Sequence, residues 1–185
     1  MLKGILDYAH YLLKESVELG ETVIDATCGN GNDTLFLSDL VGGEGHVLAF
    51  DIQEQAISAT KQKAADLGKT NITLIRDSHA NAADYIMREI GGAIFNLGYL
   101  PKSDKAIITK AESTITALEA ILSYLKKDGL IVIVVYHGHE GGKTEKEAVL
   151  NYVTQLEQKE YHVMRYEFIN QKNNPPFLLA VQNRK

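Results

Sequence analysis

The 185-residue chain has a single cysteine, Cys28, so no disulfide can close within it and a reducing compartment fits best. No apolar stretch reaches the length that spans a bilayer, and no apolar run near the N-terminus leads to a small-residue cleavage site; a cytoplasmic protein with no membrane partner is expected. Basic residues are outnumbered, 19 Lys and Arg against 24 Asp and Glu, and the formal net charge is −5. That balance opposes sequence-independent grip on long nucleic acid, while a small folded RNA read by shape stays compatible with it. Repeats, low-complexity tracts and linkers are also missing. One domain over 1–185 is expected, long enough to bury a substantial core.

What the chain does have is centred on Val23 to Asp33, Val-Ile-Asp-Ala-Thr-Cys-Gly-Asn-Gly-Asn-Asp. A short apolar strand feeds a loop with Gly29 and Gly31, and a helix opens on Asn32 and Asp33. Such a loop lets bare backbone approach a nucleotide-like ligand. Asp25 ends the strand and Asp33 stands in the first helical turn, where carboxylates would repel a pyrophosphate. Thr34 also replaces the small residue that close helix packing wants in dinucleotide sites. A cationic cofactor suits this loop, and S-adenosylmethionine, with its ammonium and sulfonium, is the candidate.

Along the rest of the chain, strands alternate with helices. Leu2, Ile5, Leu6, Ala9, Leu12, Leu13 and Val17 mark an amphipathic helix expected to lie across the domain edge. Tyr8, His10 and Tyr11 on it are read as packing residues, with ligand contact as the alternative. A helix over 34–41 ends at Gly42-Gly43, and a second strand, 45–52, ends in Asp51. This acid falls twenty residues beyond Gly31, where such folds hydrogen-bond a ribose; the alternative is a capping box with Glu54. A helix over 53–67 leads to a third strand, 71–76, followed by Asp77-Ser78-His79. Asp77 could accept from an adenine amine, or Asp77 or Ser78 could simply cap a helix over 81–90. Asn71-Ile-Thr73 matches a glycosylation pattern by chance.

Gly91-Gly92 reads as a turn before a buried strand, 93–96, that runs into Leu97-Gly98-Tyr99-Leu100-Pro101. Thr109-x-x-Glu112 predicts a capping box for the next helix, which Gly129 ends, and Thr144-x-x-Glu147 one for the last. Between them the β-branched run 130–136 exits into His137-Gly138-His139-Glu140-Gly141-Gly142. Strands over 161–170 and 177–183 would pair antiparallel through a turn at 173–176, where Pro175-Pro176 could hold a cis bond. The expected class is α/β: a seven-stranded, mostly parallel sheet with helices on both faces and a C-terminal antiparallel hairpin. Ligands of such sheets bind beyond the carboxyl ends of the strands, where all these polar residues converge.

With those residues identified, the chain resembles the class I, Rossmann-like S-adenosylmethionine-dependent methyltransferases over its whole length. Asp25 to Thr34, Phe95 to Pro101, and Tyr136 to His139 with Gly141-Gly142 are similar to motifs of the small bacterial MnmM/YtqB family, once labelled rRNA methylases. The resemblance implies methylation of the 5-aminomethyl group of a modified wobble (2-thio)uridine in tRNA, with the anticodon stem-loop as partner. It places Asp25, Gly29, Asn30, Gly31, Asn32 and Asp33 at the methionine end of the cofactor, Asp51 and Gln53 at the ribose, and Asp77, Ser78 and His79 at the adenine. Asn96 and Tyr99 match the first and fourth positions of an Asn-Pro-Pro-aromatic motif that orients a target amine; Leu97 and Gly98 depart from it in the middle.

Methyl transfer from a sulfonium is an in-line displacement that needs a neutral nucleophile, so positioning dominates. Asn96 would orient the amine, and His137 or His139 could take up its proton. Methylation at carbon 5 of a pyrimidine usually needs a cysteine nucleophile, and Cys28 is committed to the loop. No metal is expected, since His137-x-His139 lacks a fixed third ligand. Lys102, Lys105 and Lys110 could touch phosphate or form a solvated edge. The alternatives are a methyltransferase of a small-molecule amine or of rRNA, and a cofactor-binding module without turnover. A small acidic domain gripping an anticodon loop would gain surface as a homodimer.

Overall fold

The computed structural model describes residues 1–98 and 109–185. Tyr99, Lys102 and Lys105, singled out above, lie outside the described residues. The strands are β1 (Thr22–Asp25), β2 (His46–Phe50), β3 (Ile72–Ile75), β4 (Ile90–Leu97), β5 (Leu125–Val135), β6 (Tyr161–Tyr166) and β7 (Phe177–Asn183). They form one sheet in the order β3-β2-β1-β4-β5-β7-β6. The first five are parallel, and β7 pairs antiparallel with both β5 and β6, so the C-terminal hairpin expected from sequence is present. The helices are α1 (Ile5–Ser16), α2 (Asn32–Val41), α3 (Glu54–Asp66), α4 (Ala111–Tyr124) and α5 (Gly142–Thr154).

The inner strands are apolar on both faces because both faces are covered, whereas the edge strand β6 is largely exposed. Along β5, Ile131, Ile133 and Val135 point into one core with α4 and α5 residues such as Leu118, Ile121, Val149 and Val153. Val132 and Val134 point into the other, with Ala9 and Leu13 of α1, Val17 at its C-terminal cap, and Leu37 and Val41 of α2. The period of two along each strand thus feeds two separate cores.

Several local expectations are corrected. The first helix does not lie at the domain edge: Leu13 and Val17 sit over β4 and β5, in the middle of the sheet. The glycines of Gly91-Gly92 are strand residues, not a turn: the end of α1 crosses close above Gly92, and the Glu21 side chain fills the space beside Gly91. A Cβ on Gly92 would stand 3.0 Å from Val17 Cγ2 and 3.3 Å from Leu13 Cδ2. The segment expected as a helix over 81–90 is a short 3₁₀ turn, His79–Asp84, capped by Ser78, whose Oγ accepts from the Ala80 amide.

Neither threonine capping box forms. Helix α4 starts at Ala111 with Lys110 at its N-cap position and no side-chain cap; the Thr109 oxygen accepts from the Gly98 amide and its hydroxyl donates to the buried Glu145 carboxylate. Helix α5 starts two residues before Thr144, from Gly141 in the left-handed conformation (φ 80°). At Asn71 the side chain is buried and bonded to Ser38 and Gly42, which explains its place in the sequence without a glycan. No described peptide bond is cis, Pro175-Pro176 included.

Candidate active site

The carboxyl ends of β1, β2, β4 and β5 surround a cavity of about 750 Å³, within the usual size of a small-ligand site. Its floor is the loop after β1. Gly31 has φ 79°, and a Cβ there would stand 2.6 Å from Thr60 Oγ1, so only glycine lets α3 approach this closely. Lys63, also from α3, donates to the Asn30 carbonyl at 2.6 Å and to Asn32 Oδ1 at 3.3 Å. Asp51 fixes the loop from β2, accepting from the Gly29 amide and the Gln53 amide at 2.9 Å each. Helix α3 carries no side-chain cap, so the Asp51–Glu54 capping box is absent; Glu54 pairs with Arg76 instead.

Asp25 is fully buried beneath the loop and does not line the cavity; the same holds for Gly31. Its carboxylate accepts the Thr34 hydroxyl at 2.6 Å and the Thr27 amide at 3.1 Å. Thr34 stands where a small residue would be expected because its hydroxyl serves this buried acid. Burial, reinforced by the Asp33 carboxylate, pushes the Asp25 carboxyl up to about 7. Cys28 lies between Thr34 and Thr60, and burial followed by the Asp25 charge pushes its thiol up to about 12. A thiol held protonated in this way is no nucleophile at neutral pH.

Gly29, Asn30, Asn32, Asp33, Asp51, Gln53, Asp77, Ser78, His79, Asn96, His137 and His139 all line the cavity. The Asp77 carboxylate is engaged locally by the Ser78 amide, the Asn81 side chain and the Tyr85 hydroxyl, and the Asn81 bond comes first in holding its carboxyl below the usual range. His79 is 8% exposed, and burial lowers its pKa. Its Nδ1 lies 2.8 Å from the Ala26 carbonyl, which can only accept, so Nδ1 carries the proton. Nε2 is then a buried acceptor with no partner among the described residues, a defect that a donor in the cavity would satisfy. An adenine amine is such a donor, and Asp33 and Asp51 on the cavity wall suit a cationic ligand. The residues therefore fit S-adenosylmethionine.

Across the cavity, Asn96 near the end of β4 has its amide nitrogen bonded to Thr27 Oγ1 at 2.7 Å and its side-chain Nδ2 bonded to Asp33 Oδ2 at 2.5 Å. The next turn is clamped by Thr109. The Gly98 amide donates to Thr109 Oγ1 and the Thr109 amide to the Gly98 carbonyl, both at 2.9 Å. Glu145, 2% exposed, accepts the hydroxyls of Thr109 at 2.7 Å and Thr114 at 2.9 Å; burial raises its pKa. Of the two histidines after β5, His137 donates from Nε2 to the Pro175 carbonyl at 3.0 Å, and burial first lowers its pKa. His139 is the one beside the Asn96 turn: a Cβ on Gly98 would stand 3.7 Å from its Cε1.

Lys63 and Glu145 are site residues that no motif marked; Thr27 lies within the loop motif, Thr109 within the expected capping box, and His10, read as a packing residue or ligand contact, lies 2.6 Å from Asp33 Oδ1. Ile52 could have been found, since an apolar residue follows the ribose-type acid; it is exposed and lines the cavity.

The sequence profile of the family described as Putative rRNA methylase matches residues 47–182. The chain belongs to that family. The match to this rRNA methylase family includes Asp51, Asp77, Asn96 and the His137–His139 loop. A chloroplastic tRNA (mnm(5)s(2)U34)-methyltransferase of Arabidopsis thaliana is 36% identical over 184 residues, covering 94% of this chain and 67% of that protein. The crystal structure of a putative rRNA-methylase from Clostridium thermocellum superposes with a TM-score of 0.97 at 44% identity, over 99% of each chain. A putative methyltransferase from Streptococcus mutans, solved in complex with SAH, superposes with a TM-score of 0.92 at 42% identity, again over 99% of each. The Rossmann-like methyltransferase fold is thus established for this rRNA methylase family member.

Proposed function

We propose that the protein is an S-adenosylmethionine-dependent N-methyltransferase that modifies the 5-aminomethyl group of a wobble (2-thio)uridine in tRNA. The observation that carries the N-methyl reading is Asn96. Its Nδ2 is committed to Asp33, an acceptor-only carboxylate, which leaves Oδ1 as an acceptor toward the cavity that the cofactor loop lines. A hydrogen-bond acceptor orients an amine N–H and so aims the nitrogen lone pair, while the free base that the displacement requires needs a separate proton acceptor. Cys28 supports the same reading, since a thiol pushed up to about 12 offers no attack on a pyrimidine ring. The tRNA substrate is supported by the name of the Arabidopsis relative.

Bound S-adenosylmethionine supplies an electrophilic methyl group. The loop of Gly29, Asn30, Asn32 and Asp33 would hold its methionine end, Asp51 and Gln53 its ribose, and Asp77, Ser78 and His79 its adenine. Asp25 and Gly31 shape that loop from beneath. Asn96 and Tyr99 would position the target amine. His139, beside the Asn96 turn, would take up the amine proton, while His137 ties the site to the hairpin turn through Pro175. The anticodon stem-loop as the bound part of the RNA, a homodimer pooling surface from two copies, and a cytoplasmic location complete the proposal. Sedimentation velocity at micromolar concentration tests the dimer. Nucleoside mass spectrometry of tRNA from cells lacking the protein tests the activity: loss of one methyl group from one aminomethyl uridine is expected, and an unchanged nucleoside profile would refute it.

A further inference from the structure

Asp33 does something that no loop motif requires. Its two carboxylate oxygens are divided between Asn96, on β4, and His10, on α1. His10 Nε2 lies 2.6 Å from Oδ1, and its ring is stacked on Phe36, one turn after Asp33 on α2, with centroids 3.9 Å apart and planes 5° apart. Lys14 reaches over Phe36 as well. His10 is thus held flat by one α2 residue while it donates to another.

The amide of Asn96 can face the cavity in two ways, presenting either its oxygen or its nitrogen, and only the first accepts from an amine. A carboxylate accepts and never donates, so Asp33 admits only Nδ2 and turns Oδ1 away from itself. That choice holds only while the Asp33 carboxylate stays in place, and the hydrogen bond donated by His10 Nε2 holds it there. Resting on the N-methyl reading above, we propose that His10 and Asp33 are a positioning pair that sets the orientation of the Asn96 amide toward the target amine. Helix α1 is then part of the active site as well as a cover for the sheet.

The test compares His10→Ala, His10→Gln, His10→Asn and His10→Phe in the full-length protein, using SAH as the binding probe and hypomodified tRNA as substrate. Glutamine places an amide nitrogen where Nε2 stands, whereas asparagine is too short, and phenylalanine keeps the stack on Phe36 without the donor. The expected result is a fall in kcat of about ten- to a hundredfold for the Ala, Asn and Phe variants, recovery with Gln, and SAH affinity within about twofold throughout. In the ligand-free protein, the Asn96 side-chain amide protons should lose exchange protection and shift by NMR in the Ala and Phe variants, but not in Gln. The proposal is overturned if the Ala and Phe variants keep wild-type kcat, if SAH binding weakens in proportion to kcat, if Gln fails to restore turnover, or if the Asn96 amide signals do not move. A wild-type protein that methylates no tRNA would instead remove the functional reading, and the NMR comparison would still decide the role of His10.

Discussion

Replacing Asp25 with Asn should flatten the pH dependence of stability, and the size of the effect follows from the buried carboxyl. In the unfolded chain this acid titrates at its ordinary value of 3.8; in the fold, burial first and Asp33 second push it up to about 7. Between those values the native state holds one proton more than the unfolded state, so stability falls as pH rises, by about 1.4 kcal/mol per unit. The contribution is fully present below 3.8 and is lost by the time pH passes about 7. Going from pH 5 to pH 8 therefore covers about two units of that slope, or about 3 kcal/mol. Other groups titrate over the same range, but they do so in both proteins, so the comparison isolates Asp25. Urea unfolding of the wild type and of Asp25→Asn at pH 5, 6.5 and 8 gives the curves. The wild type should lose about 3 kcal/mol more than the variant between the extremes. Curves that change in parallel, within about 0.5 kcal/mol, would show that the buried acid titrates normally and that its environment has been misread.

Three further outcomes follow from the same site. Gly31→Ala forces a side chain into φ 79° and against Thr60, so unfolding should become easier by about 1–3 kcal/mol, with partial recovery in the Gly31→Ala, Thr60→Ala double variant; an unaffected urea midpoint would contradict this. Cys28→Ser should keep kcat within about twofold of wild type, and the native thiol should resist iodoacetamide at neutral pH, whereas rapid alkylation would show a reactive thiolate. Glu145→Ala leaves the Thr109 and Thr114 hydroxyls without their acceptor, so it should lower kcat by about tenfold through the Gly98 clamp while SAH binds as before; equal losses in both would place Glu145 on the cofactor side.

The alternation of apolar strands with helices carried the mostly parallel sheet and the hairpin, because both follow from local periodicity and connection length. The loop after β1 was legible for the same reason: its glycines, acids and strand lie within eleven consecutive residues. Legibility ended where a residue's role depends on a distant partner. Gly91-Gly92 looks like a turn until α1 is known to cross above it. Thr109 spells a capping box in sequence, yet its oxygen accepts from the Gly98 amide and its hydroxyl donates to a carboxylate 36 residues later. His10 carries no signal of its own, since both the acid it touches and the ring it stacks on belong to another helix. Asp25 was legible as a site acid but not as a buried one; what hides it is the hydroxyl of Thr34, whose size had argued only against a dinucleotide.

The central claim is tested most directly by incubating the purified protein with methyl-labelled S-adenosylmethionine and tRNA from cells lacking it, then locating the label by nucleoside mass spectrometry. The account predicts one labelled methyl group on the aminomethyl nitrogen of a wobble uridine, with kcat reduced about a hundredfold in Asn96→Ala and SAH affinity preserved within about threefold. Label on a ring carbon or a ribose hydroxyl, or full turnover by Asn96→Ala, would contradict it.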